Sequence, residues 1–98
     1  MIVRIVCINK DNGNHDNPHE AIANYGWVDD ADQSNSGKAS RLKMVEFLKE
    51  DENNKAYVKN GDDKAYCYVR ENKYGTKFLQ TVTDRKWDDN LLRLGECS

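Results

Sequence analysis

Residues 14–27 read NHDNPHEAIANYGW and place the chain's two histidines, His15 and His19, four positions apart. Each histidine stands beside a carboxylate, and side chains of these types bind transition metals or transfer protons. A zinc site needs three or four converging ligands, however, and Pro18 breaks the regular backbone that would align these groups. We therefore predict a polar turn here, without a metal or other cofactor, and keep His15 and His19 as the alternative metal candidates.

Other groups that could do chemistry are the adjacent aspartates Asp88 and Asp89 and the cysteines. Neighbouring side chains point apart in regular backbone, and aspartates of this kind commonly cap a turn. Cys7 and Cys67 fall within apolar stretches that predict strands, where a buried thiol is inert. No glycine-rich loop has phosphate-binding spacing. An enzyme built around His19 and the aspartate pair is therefore only the third hypothesis for function.

A more informative pattern is the run in which Lys64, Tyr66, Tyr68 and Arg70 alternate with small apolar residues. On a strand, residues spaced by two emerge on one face, so we expect these four side chains to point away from the core. Lys77 would extend the basic rim of this face, as would Lys55, with Tyr57 or Phe78 adding aromatic surface. Such a face binds proteins through Tyr and Arg, or stacks single-stranded nucleic acid. The equal alternative is a solvated sheet face, because tyrosine favours strands.

The elements that position these residues follow from the hydrophobic pattern of a chain of 98 residues, which is the size of one domain. The opening MIVRIVCINK predicts a strand, the segment 21–28 a second strand, and Ser40 the N-cap of a helix over about 40–52. The polar segment DDADQSNSGKA between them predicts a mobile loop. Asn60-Gly61 predicts a hairpin, a further strand follows at 78–83, and three leucines near the end cap the core. We expect an α+β fold of order β-β-α-β-β-β, with a single, mostly antiparallel sheet and the helix packed on one face.

Composition narrows the class of protein. Seventeen acidic residues against 15 basic ones give a net charge of −2, which is too balanced for a general nucleic-acid binder. The odd number of cysteines, 3, without close spacing, predicts reduced thiols and a soluble, cytoplasmic protein. The apolar N-terminal stretch is too short to span a bilayer and lacks a cleavage region, so we expect no membrane association.

Taken together, these features resemble a family of small bacterial and phage-borne domains of unknown function. The resemblance covers nearly the whole chain and rests on four features: the apolar first strand, the strand that follows His19, the Ser40-capped helix with its Met-Val step, and the ending TVTD with Trp87 and DNLL. Arg85 stands where such domains often have a turn glycine, and Gly95 where a proline often follows the leucine. The resemblance implies a bacterial or mobile-element origin and no particular activity.

The function predicted from the sequence is therefore a non-enzymatic, protein-binding accessory or regulatory module. A single-stranded nucleic-acid or nucleotide binder that uses Lys64, Tyr66, Tyr68 and Arg70 is the alternative. The partner is expected to be another protein, and the chain itself a monomer or a homodimer paired through a sheet edge.

Overall fold

One sheet of seven strands and one α-helix account for the regular structure in a computed structural model that describes residues 1–11, 18–83 and 85–97. The strands and the helix are β1 (Ile2–Lys10), β2 (Ile22–Asp29), β3 (Ser36–Ser40), α1 (Arg41–Glu50), β4 (Lys55–Asn60), β5 (Asp63–Glu71), β6 (Lys77–Thr83) and β7 (Lys86–Asp88). Two short 3₁₀ turns, Pro18–Ala21 and Asn90–Arg93, precede β2 and follow β7. The predicted α+β class, with one sheet and one helix, is confirmed.

The strand order across the sheet is β3-β2-β1-β4-β5-β6-β7. Five of the six pairings are antiparallel, but β1 and β4 run parallel, so the sheet is mixed and the expected element order lacked two strands. The parallel pair forms because α1 returns the chain before β4 starts, on the side of β1 opposite to β2. A sequence pattern indicates where a strand runs, but it does not specify which strands pair with it.

The mobile loop predicted over DDADQSNSGKA is wrong in its second half. Ser36–Ser40 pairs antiparallel with β2, from Val28↔Ser36 to Asn24↔Ser40, and forms one edge of the sheet. Only Ala39 in this strand is half-buried, since an edge strand exposed to water needs no apolar alternation. The Trp27 ring lies over Gly37, where an added Cβ would come within 3.2 Å of it.

Helix α1 begins where the sequence predicted and ends two residues earlier than the predicted limit. The Ser40 hydroxyl accepts a hydrogen bond from the Lys43 N–H at 3.2 Å, which satisfies one of the unpaired donors of the first turn. Met44 and Val45 are buried against the sheet. The helix lies across the concave face, in contact with β2, β3, β5 and β6.

The core is formed between α1 and this concave face, and its largest fully buried side chains are Tyr25, Ile5, Ile8, Ile22, Leu79 and Leu91. Adjacent strands rotate by about 20–25°, so β2 and β6, four pairings apart, cross at about 80–100°. This twist brings β6 over the first 3₁₀ turn, and the Asn72 amide at the end of the β5 segment reaches Glu20 Oε1 at 3.2 Å. The leucines near the end behave as predicted, with Leu91 buried and two others packed against the core.

The prediction of three reduced thiols is wrong, because Cys7 and Cys97 form a disulfide with their Cα atoms 5.0 Å apart. The C-terminal segment returns to β1, where the Ile8 N–H donates to Gly95 O and the Cys97 N–H donates to Ile8 O. A separation of 90 residues hides this proximity from any spacing rule. Cys67, the remaining cysteine, is buried as predicted, and burial raises the pKa of its thiol.

No helix in the described parts of the chain has both the length and the apolar character needed to cross a membrane.

Candidate functional site: the outer face of the sheet

The outer face is the side of the sheet turned away from α1. Along β5, Cys67 is buried and packs into the core, whereas Tyr66 is half-buried and Tyr68 is 53% exposed. The alternation follows from the pleat of the strand, and it places Lys64, Tyr66, Tyr68 and Arg70 together on the outer face. The predicted orientation of this tyrosine ladder therefore matches the structure.

A row of side chains crosses this face from strand to strand. Consecutive pairings place six residues directly opposite one another, in the order Val28, Arg4, Tyr57, Tyr66, Val82 and Trp87. With about 4.8 Å between strands, the row is about 24 Å long. The Tyr57 and Tyr66 rings lie 5.9 Å apart and are tilted by 54°, within the usual range of aromatic pairs.

Arg70 and Trp87 form the most organised part of the outer face. The Arg70 guanidinium lies 4.4 Å from the Trp87 ring and 5.7 Å from the Phe78 ring. Its Nη1 donates to Gln80 Oε1 at 2.8 Å, and Gln80 Nε2 donates in turn to the Asp88 carbonyl. Arg70 is thus fixed by stacking and hydrogen bonding, while Trp87 remains 47% exposed.

Trp87 is the residue of this site that sequence reasoning missed. It lies on β7, a strand of three residues that follows a tight turn and pairs with β6 through Val82↔Trp87. Arg85 in that turn has φ 66°, a left-handed conformation that glycine adopts at lower cost. The available signal was a turn after β6 followed by Lys-Trp-Asp, in which one aromatic side chain faces opposite to its two charged neighbours.

Near the middle of the row, Tyr57 interacts directly with Asp30 and Lys64. The Tyr57 hydroxyl donates to Asp30 Oδ1 at 2.5 Å, and this hydrogen bond raises the pKa of Tyr57. Lys64 Nζ lies 4.7 Å from the centre of the Tyr57 ring and 3.8 Å from Asp30 Oδ2. Asp30 therefore offsets part of the positive charge that Lys64 brings to the outer face.

A cavity of about 480 Å³ opens beside this cluster, and its lining carries both signs of charge. The bases are Arg4, Lys59 and Lys64, and the acids are Asp29, Asp30, Asp62 and Asp63. A hydrogen bond from the Ala31 N–H, followed by one from the Asn35 amide, lowers the pKa of Asp29 and keeps its carboxylate charged. This end of the outer face is thus mixed in charge rather than basic.

Three side chains predicted to extend the ladder behave differently. Lys77 lies on the opposite side of the sheet, close to Lys49 of α1. Side chains alternate along β6, and Phe78 faces outward opposite Arg70, so its neighbour Lys77 faces inward. The prediction that Lys77 extends the outer face is therefore wrong. Phe78 and Tyr57 do face outward, yet they are only 3% and 5% exposed, so neither adds aromatic surface. Phe78 instead packs against the Arg70 guanidinium.

The structure brings His19 to the aspartates of the third hypothesis. His19 Nε2 lies 3.9 Å from Asp89 Oδ1, and the imidazole is 1% exposed. Desolvation lowers its pKa, Arg70 lowers it further, and Asp89 and Asp88 act in the opposite direction. Asp88 serves the fold through its carbonyl, which accepts hydrogen bonds from Gln80 and from the Thr81 hydroxyl.

The metal candidate His15 lies outside the described residues. Among the residues that the structure does describe, no three His, Cys, Asp or Glu side chains form a group that could hold a metal ion.

The C-terminal segment leaves the outer face open around Tyr68 and Trp87. Residues 95–97 lie along β1, held by the Ile8 hydrogen bonds and by the Asn9 amide, which donates to Cys97 O at 3.2 Å. The exposed fractions of Tyr68 and Trp87 agree with this path.

Comparison with protein families decides the membership of the chain. The family model described as "Protein of unknown function (DUF3892)" matches residues 4–95. The chain belongs to this family. The match confirms the predicted resemblance to a family of domains of unknown function, and the matched range includes the outer-face residues from Arg4 to Trp87. Neither the curated proteins nor the solved structures gave a match to the chain.

Proposed function

We propose that this DUF3892 domain is a non-enzymatic, protein-binding accessory or regulatory module, and that its outer face is the docking surface. The observation that carries the proposal is the arrangement of Tyr68, Arg70 and Trp87. The two aromatic side chains are about half exposed, and the guanidinium is fixed between two rings. Trp, Tyr and Arg are the residues that dominate binding energy at protein interfaces.

The physical reason is a low entropic cost of binding. An immobilised, rotamer-rich side chain costs about 0.5–1.5 kcal/mol at an interface. Arg70 has already lost that freedom through Gln80 and the two rings, and aromatic side chains have few torsions to lose. A partner that covers this patch therefore gains buried aromatic area without ordering the surface first.

Single-stranded nucleic acid is the second candidate, supported by the spacing of aromatic rings and cations across the row. The acids that line the neighbouring cavity, together with the net charge of −2, oppose a phosphate backbone. An enzyme around His19 has less support, because the imidazole is buried behind Asp89.

Bacterial or phage origin and cytoplasmic location stay predictions. The Cys7–Cys97 disulfide counts against a reducing compartment, since disulfides persist mainly where the surroundings are oxidising. Self-pairing through an edge also stays a prediction, and the edges available for it are β3 and β7.

The proposal is tested by passing a lysate of the cells that produce the protein over the immobilised domain and identifying the proteins that it retains. We expect a defined set of proteins to be retained and then lost with the double variant Tyr68→Ala/Trp87→Ala. Tyr74→Ala is the matched control, because this ring is 75% exposed but lies in the β5–β6 hairpin, away from the row. No retained protein, or equal retention by all three forms, would reject the proposal.

A gel-shift titration with an oligothymidylate distinguishes single-stranded nucleic-acid binding from protein binding. Retardation at low salt that weakens steeply with added salt and disappears in Tyr68→Ala would favour nucleic acid over protein. If the outer face binds proteins instead, the domain should leave the mobility of the oligothymidylate in the gel unchanged.

A further inference from the structure

Strand β5 extends beyond the start of the neighbouring strand β4. Strand β4 pairs with β5 only from Asn60↔Asp63 to Tyr57↔Tyr66, while β6 pairs with β5 as far as Glu71↔Lys77. Residues 67–71 of β5 therefore have a strand pairing on one side alone, because the chain enters β4 from α1 at Lys55. We call this gap below the start of β4 the β5 notch.

Backbone groups of β5 face the notch in a regular alternation. The Asn72 N–H donates to Thr76 O at 3.0 Å, in register with the pairs Arg70↔Phe78 and Tyr68↔Gln80. In an antiparallel ladder, residues of such pairs exchange their hydrogen bonds with each other, and the residues between them point to the other side. Val69 and Glu71 consequently direct their N–H and C=O groups toward the notch.

The side chains around the notch form a cavity of about 310 Å³. Leu48, Cys67 and Val69 give it an apolar floor, and Tyr68 stands at its outer rim. Two cations, Lys49 and Lys55, line it against one acid, Glu52. Lys49 also lies beside Lys77, which lowers the pKa of Lys49, while Glu71 acts in the opposite direction, so the lysines Lys49, Lys55 and Lys77 outnumber the acids Glu52 and Glu71 around the notch.

We infer that the β5 notch binds an extended, acidic segment of a partner protein, which adds to β5 as a short strand. The segment would pair with the backbone of Val69 and Glu71 and place carboxylates near Lys49 and Lys55. Alternate side chains would contact the apolar floor and Tyr68, since side chains of a strand point to opposite faces. The inference rests on the proposed function, because Tyr68 borders both the notch and the outer face.

The probe is an acetylated and amidated octapeptide of alternating Glu and Val, added to the ¹⁵N-labelled full chain. We expect shifts of the amide signals of residues 67–71 and about tenfold slower hydrogen exchange at Val69 and Glu71. Lys55→Glu should weaken binding about tenfold or more, because it sets like charges against each other. Lys59→Glu is the matched control, with the same change of charge on the same strand but outside the notch, and it should bind as the parent does.

Several outcomes would overturn the inference. These are unshifted amides of residues 67–71 at millimolar peptide, equal binding of an alternating Lys-Val octapeptide, and full binding by an octapeptide N-methylated on the amides that face β5. The same amide shifts on adding an oligothymidylate would assign the notch to nucleic acid, and protection that grows with chain concentration alone would assign it to a second copy. Retained proteins that depend on Tyr68 and Trp87 but leave Val69 and Glu71 unprotected would reject the notch and leave the proposed function intact.

Discussion

At the scale of single residues, the buried imidazole of His19 makes the stability of the fold depend on pH. Desolvation lowers the folded-state pKa below its ordinary value of 6.5, so the unfolded chain binds more protons below that pH. The contribution of His19 to the free energy of unfolding is thus complete above about pH 6.5 and is lost as the pH falls below it. Urea unfolding between neutral pH and about pH 5 should show this loss in the parent.

His19→Gln should flatten that decline, since glutamine does not titrate. His15→Gln removes the other histidine of the chain and reports how much of the decline belongs to it. An unchanged pH dependence in His19→Gln would contradict the assignment of a lowered pKa to His19.

A second prediction at this scale concerns the close contact between Gly26 and the disulfide. A Cβ added at Gly26 would overlap Cys7 Sγ and lie 2.9 Å from Cys97 Sγ, so the strand or the disulfide has to shift. We expect Gly26→Ala to lower the free energy of unfolding by about 1–3 kcal/mol, as overpacking does. Gly95→Ala is the control, because no atom lies within 4 Å of the added Cβ there. Equal unfolding midpoints of the two variants would refute the steric account.

The sequence predicted the placement of some side chains of the site and not of others. The outward placement of Lys64, Tyr66, Tyr68 and Arg70 follows from alternation, which any strand obeys. The assignment of Lys77 failed because its face depends on the register of a different strand. The interaction of Tyr57 with Asp30 depends on how a loop folds back over the sheet, which local pattern does not specify.

At the scale of elements, the C-terminal segment is held to β1 by the Cys7–Cys97 disulfide and by backbone hydrogen bonds of Ile8. Closing a loop of this length restricts the unfolded chain, and loss of a native disulfide typically costs about 2–5 kcal/mol. We expect Cys97→Ser to lower the free energy of unfolding by that amount in urea titrations.

The control for this prediction is a reductant. Dithiothreitol should lower the melting temperature of the parent toward that of Cys97→Ser and leave the variant unchanged. A parent that is insensitive to dithiothreitol in the unfolding experiment would show that the disulfide contributes nothing.

Elements with a strong local signal were predicted well, among them α1 with its Ser40 cap and the β4–β5 hairpin at Gly61, where φ is 62°. β3 and β7 were missed because they lie at the edges of the sheet, where few side chains are buried. A strand of that kind forms by pairing with its neighbour, and its own composition carries little sign of it.

At the scale of the whole molecule, the strongly twisted sheet divides the chain into two surfaces. The concave face holds the core under α1, and the outer face carries the row from Val28 to Trp87. Twist also explains why His19 and the Asp88 region meet although the sequence separates them widely. The parallel pairing of β1 with β4 sets this arrangement, and it is a long-range property that no local pattern specifies.

The most direct test of the docking surface is photo-crosslinking in the producing cells, with a benzophenone amino acid placed at position 68 in one form and at position 74 in the other. We predict that the form substituted at Tyr68 gives discrete protein adducts, because its side chain stands beside Arg70 and Trp87 on the outer face. The form substituted at Tyr74, although more exposed, should give none of these adducts. Identical adduct patterns from both positions, or no adduct from position 68, would contradict the assignment of the outer face as a protein-binding surface.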